Sequence, residues 1–68
     1  MKYIYFVTYF GRDINTGLRY EGNSELSVEI EITSIDVIRA IETKIALEND
    51  LRDVHVMFYN LLRRQQNV

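Results

Sequence analysis

The chain contains no cysteine, which excludes a disulfide framework, a thiolate zinc site and a thiol nucleophile, and fits a reducing compartment. His55 is its single histidine, too few nitrogen ligands for a structural metal. Basic excess is missing as well: 8 Lys and Arg stand against 10 Asp and Glu, for a formal net charge of −2. Nonspecific binding to a phosphate backbone is therefore disfavoured, and the acidity is too slight for a mimic of DNA. No apolar run is long enough for a membrane span, because the one behind Lys2 ends at Gly11 and has no small-residue cleavage site. The expectation is a soluble, cytosolic protein. The glycines Gly11, Gly17 and Gly22 lie outside any strand-loop-helix unit followed by Lys-Ser or Lys-Thr, so they read as turn residues rather than a phosphate cradle.

At 68 residues the chain is read as one domain spanning 1–68, with a tail that frays over about 63–68. A domain this small buries only about 60% of the surface its unfolded chain exposes and is marginal unless stapled. Without a disulfide or a metal, oligomerisation is the remaining common remedy.

The richest stretch is Tyr3-Ile4-Tyr5-Phe6-Val7-Thr8-Tyr9-Phe10, all aromatic or β-branched, the composition of a central strand. Ile4, Phe6 and Phe10 point to one side of it, and Tyr3, Tyr5, Val7 and Tyr9 to the other. Asn15-Thr16-Gly17 supplies turn chemistry for a hairpin. The returning strand starts near Leu18 and meets a break at Gly22-Asn23-Ser24, either a bulge or a longer loop. Leu26, Val28, Ile30 and Ile32 then alternate with Ser27, Glu29 and Glu31 as a half-buried strand.

Thr33 reads as a helix N-cap, with Asp36 at the capping-box position. The helix runs from about Ser34 to Glu48, with Ile35, Ile38, Ile41 and Ile45 on the apolar stripe and Arg39, Glu42, Thr43 and Lys44 on the wet side. A last strand spans Asp53 to Tyr59, after which Leu61 and Leu62 dock. These pieces predict an α+β fold of order β-β-α-β, a three-stranded antiparallel sheet in strand order 2-1-3 with one helix on one face.

The helix-covered core is expected to hold Ile4, Phe6, Phe10, Leu26, Val28, Ile30, Val54, Val56 and Phe58. The opposite face then presents Tyr3, Tyr5, Val7, Tyr9, Ser27, Glu29, Glu31, His55, Met57 and Tyr59. A patch rich in Tyr and Met marks an association surface, for a two-fold copy or a partner protein. The candidate binding residues are Tyr3, Tyr5, Val7, Tyr9, Glu29, Glu31, His55, Met57 and Tyr59. No catalytic, metal or cofactor residue is assigned. His55 with Glu29, Glu31 and Tyr59 lacks the cleft and convergent groups of an enzyme site and reads as interface polarity. The same tyrosines suggest a second reading, a base-stacking platform, which the neighbouring Glu29 and Glu31 oppose.

The opening strand, the turn at Asn15-Thr16-Gly17 and the run Ile32 to Glu42 together resemble a group of short proteins carried by phages and prophages of Gram-positive bacteria. The likeness spans most of residues 3–59 and is one of pattern, without a catalytic signature. Small phage proteins of this build include inhibitors of bacterial antiviral defence, of the Hachiman anti-defence type. The resemblance implies an inhibitor of a host protein in the bacterial cytoplasm; with the uncovered face, the expectation is a non-enzymatic homodimer that binds such a partner.

Overall fold

In the computed structural model, which describes residues 1–66, strand β1 (Lys2–Asp13) pairs with β2 (Arg19–Val28). Helix α1 (Ile35–Asn49) and strand β3 (Leu51–Gln65) follow. The sheet order is β2-β1-β3, antiparallel throughout, as the sequence predicts. No helix among the described residues is long and apolar enough to cross a membrane.

Asp13 builds the hairpin turn. Its Oδ1 accepts the N–H groups of Asn15 (2.7 Å) and Thr16 (3.0 Å). Its backbone N–H donates to the Leu18 carbonyl (2.9 Å), and its own carbonyl accepts the Gly17 N–H (2.8 Å). Gly17 takes φ 74° there, a left-handed conformation that favours glycine. This closure fixes the register, with Tyr3 opposite Val28 and Tyr5 opposite Leu26. Pairing then continues without a shift through Gly22-Asn23-Ser24, which is neither a bulge nor a loop. Gly22 lies across from Tyr9, where a Cβ would come within 2.9 Å of the Tyr20 ring.

The register decides which face of β1 meets the helix, and it reverses the expectation. Residues opposite each other in an antiparallel pair share a face, so Leu26 and Val28 carry Tyr5 and Tyr3 to the helix side. Tyr5, Val7 and Tyr9 are 2%, 0% and 3% exposed, in one core with Leu26, Ile41, Ile45, Leu51 and Val54. Ile4, Phe6 and Phe10 occupy the other face of the sheet. Ile30 is exposed because β2 ends at Val28, and Ile35 is exposed in the first helical turn.

Strand β3 is longer than the predicted Asp53–Tyr59, and its register shifts in three places. Met57 and Leu62 have no partner on β1, so each extra residue resets the alternation. Val54, Val56, Tyr59 and Leu61 thus all face the helix, while His55, Phe58, Asn60 and Arg63 face away. Phe58, expected in the core, is exposed, and so is Leu62. In the tail expected to fray, Arg63, Arg64 and Gln65 pair with β1; residues 67–68 lie outside the described residues.

Ser34, not Thr33, is the N-cap, and no side-chain cap bond forms, so the Thr33 and Asp36 capping box is absent. At the other end Asp50 adopts a left-handed conformation and its N–H bonds to the Ala46 carbonyl. Glu42, expected on the wet side, is 7% exposed. Its Oε2 accepts the Val56 N–H (2.8 Å) and its Oε1 accepts Arg39 Nη1 (2.8 Å).

Candidate functional site

The nine residues predicted to form a binding face do not share one. Tyr5, Val7 and Tyr9 are buried beneath α1, and the Tyr5 hydroxyl accepts the Ile32 N–H (2.8 Å), holding down the segment that leads into the helix. Tyr3 and Tyr59 flank the same core. Arg64 lies 5.9 Å over the Tyr3 ring and pairs with Glu31 (2.9 Å), and Tyr59 meets Tyr5 edge-on at 6.0 Å. Glu29 and Glu31 fall in the connection from β2 to α1, and Met57 sits at a bulge on the β3 edge. Only His55 reaches the sheet face that no helix covers.

That outer face is built along the middle of β1 by Ile4, Phe6, Thr8, Phe10 and Arg12. From β2 come Arg19, Glu21, Asn23, Glu25 and Ser27, and from β3 Arg52, His55, Phe58, Asn60 and Arg63, as the register dictates. Arg63 reaches across β1 to Glu25 (2.8 Å), between Ile4 and Phe6, and Ile4 is left only 5% exposed. Phe10 has two polar neighbours: the Arg19 guanidinium over its ring at 4.5 Å from the centre, and the His55 ring, tilted by 31°, at 5.2 Å. Long charged side chains therefore lay their stems over the aromatic row, as snorkelling groups do. Phe58 is not covered and remains 56% exposed.

At the hairpin end of this face Arg12 stands between Arg19 on β2 and Arg52 on β3. Arg19 is held by Glu21 (2.7 Å) and Arg52 by Asp53 (3.1 Å), while Arg12 donates to the Gly17 carbonyl (3.0 Å). The result is an aromatic patch with a rim of paired charges. Among the described residues no three His, Asp or Glu side chains gather as metal ligands.

On the helix side an open groove runs between α1 and β2, lined by Val28, Ile30, Val37, Ala40, Ile41 and Lys44. It exists because α1 packs toward β3, where Glu42 holds Val56.

No family model matches the chain, and no curated protein or solved structure is similar to it.

Phe6, Phe10 and Phe58 are the outer-face residues that periodicity alone misplaces. The available signal was turn length: closure of Asp13 on Leu18 sets Tyr5 against Leu26, and everything about the faces follows.

Proposed function

We propose that the protein is a non-enzymatic interaction module that binds a host protein through the outer face of its sheet, acting as a homodimer in the bacterial cytoplasm. The observation that carries this reading is the uncovered aromatic row. Phe6 and Phe10 are half-buried and Phe58 is exposed on a face rimmed by Arg19, Glu25 and Arg63. Aromatic anchors inside a polar rim concentrate binding energy. The resemblance to small phage proteins supplies the class of partner, a host protein such as an antiviral defence component, and the consequence, inhibition.

A second reading, a small nucleic-acid-binding regulator, draws on the row of Arg19, Arg12 and Arg52 beside Phe10. Glu21 and Asp53 already pair with two of those arginines, which weakens it.

Affinity capture from Gram-positive lysate, with and without nuclease, separates the two. The expected outcome is one stoichiometric protein that survives nuclease and whose binding to Phe58→Glu falls roughly tenfold or more, with circular dichroism unchanged. Equal binding by a folded Phe58→Glu would remove the outer face from the reading. Nucleic acid recovered in a salt-sensitive manner would replace it with the second.

A further inference from the structure

The two edges of the sheet are treated differently. Strand β3 is interrupted by bulges, and Glu42 takes the Val56 N–H; both devices blunt an edge against stray pairing. Strand β2 has neither: it runs without a register shift from Arg19 to Val28. The Asp13 N–H bond to the Leu18 carbonyl identifies that pair as a hydrogen-bonded one. By alternation Asn23, Glu25 and Ser27 then turn their backbone N–H and C=O groups outward. β2 is paired on one side only, with β1, and on its open side the Glu25 carbonyl takes a long bond (3.4 Å) from the Ser24 hydroxyl.

We infer that β2 pairs antiparallel with β2 of a second copy, with Ser24 on the two-fold axis, to form a continuous six-stranded sheet. This deepens the homodimer reading above and rests on it. Charge removes the two adjacent registers, and apolar contact chooses Ser24 over a centring on Gly22, which also opposes no like charges. Pairing that keeps helix-side residues opposite helix-side residues admits only alternate registers. Centring on Asn23 sets Glu21 against Glu25 of the other copy, and centring on Glu25 sets Glu25 against itself; like charges directly opposite are destabilising. Centring on Ser24 opposes Asn23 with Glu25 and Glu21 with Ser27, with no like charges facing.

The apolar surface is self-complementary in that same register. Leu18 is 69% and Tyr20 46% exposed at one end of β2, on the helix side, where the Tyr20 ring leans on Tyr9 at 6.3 Å and leaves its other side open. The groove at the other end begins at Val28 and Ile30. Pairing about Ser24 places Tyr20 of one copy against Val28 of the other and carries Leu18, just outside the strand, toward the mouth of that copy's groove. Both outer faces then lie on one side of the joined sheet, doubling the aromatic surface offered to a partner.

Sedimentation equilibrium and a single introduced cysteine test this on the intact chain. In a cysteine-free protein, Ser24→Cys meets its own copy in a non-hydrogen-bonded pair, whose Cα separation of about 4.5 Å suits a disulfide. It is expected to cross-link to covalent dimer under mild oxidation, and Asn23→Cys, which faces Glu25 of the other copy, to cross-link poorly. Asn23→Pro removes an outward N–H without touching β1 and is expected to weaken the dimer by roughly tenfold or more. Leu18→Lys, outside the strand, is expected to act in the same direction while circular dichroism holds. A wild-type dimer that ignores Asn23→Pro and Leu18→Lys, with Ser24→Cys no better than Asn23→Cys, overturns the β2 edge and leaves the homodimer standing. A wild-type monomer overturns both.

Discussion

A buried phenol sits where a tyrosine-rich surface was expected, and the burial has a consequence at alkaline pH. Removal of Tyr9 from water raises the pKa of its hydroxyl above the ordinary 10.0, with the charge and hydroxyl of Tyr20 adding to the effect. Below pH 10 both folded and unfolded states keep the proton, and Tyr9 contributes no pH dependence. Above it the unfolded chain ionises first, so stability falls as pH rises through the folded value. Tyr9→Phe keeps the ring and is expected to flatten that alkaline decline, measured as the urea midpoint from pH 9 upward; an unchanged slope would show that another group governs it. The acid end has the opposite sign. The amides of Thr16 and Asn15 hold the Asp13 carboxyl below its ordinary 3.8. That contribution is present above the ordinary value and is lost as pH falls through the lowered one.

Between elements, Glu42 joins α1 to β3 by accepting the Val56 N–H while Arg39 shields its other oxygen. Glu42→Ala leaves that N–H without a partner in a half-buried position and is expected to cost about 1–2 kcal/mol in urea unfolding at matched protein concentration. Glu42→Gln keeps an acceptor and loses only an ion pair whose arginine side is 58% exposed, so the expected loss is below about 1 kcal/mol. Equal losses would assign the effect to charge instead of to the hydrogen bond. Glu42 also shows where sequence reasoning stops. Helical spacing correctly placed Ile41 and Ile45 in the core, but a charged residue between them reads as solvated until the strand it serves is known. Element order, strand order and antiparallel pairing were legible because the aromatic run, the turn residues and the isoleucine stripe each have a single interpretation. The faces of β1 were not, because both are apolar and only the hairpin register chooses between them. In β3 one alternating pattern through Val54, Val56 and Phe58 fails because Met57 is a bulge, and nothing in residue type marks it as one.

For the whole molecule, the small size of the chain and its bare edge bear on the same quantity. A 68-residue domain without disulfides has a modest core, and two chains joined along β2 share the burden by setting Tyr20 against Val28 and Leu18 toward the groove beside it. If folding and association are linked in this way, stability depends on concentration by mass action. Each tenfold rise in protein concentration favours the dimer by about 1.4 kcal/mol, which for a pair of chains this size raises the melting temperature by about 3–5 °C. Scanning calorimetry over a concentration series is expected to show that drift in the wild type and a weaker one in Asn23→Pro. Phe58→Glu, which alters only the outer face, is expected to drift like the wild type. A melting temperature independent of concentration in a protein that sediments as a dimer would mean that the monomer's own core suffices and that the β2 edge serves to double the outer face rather than to hold the fold. Drift lost in Phe58→Glu would instead place the self-association on the aromatic row, leaving β2 free for the partner.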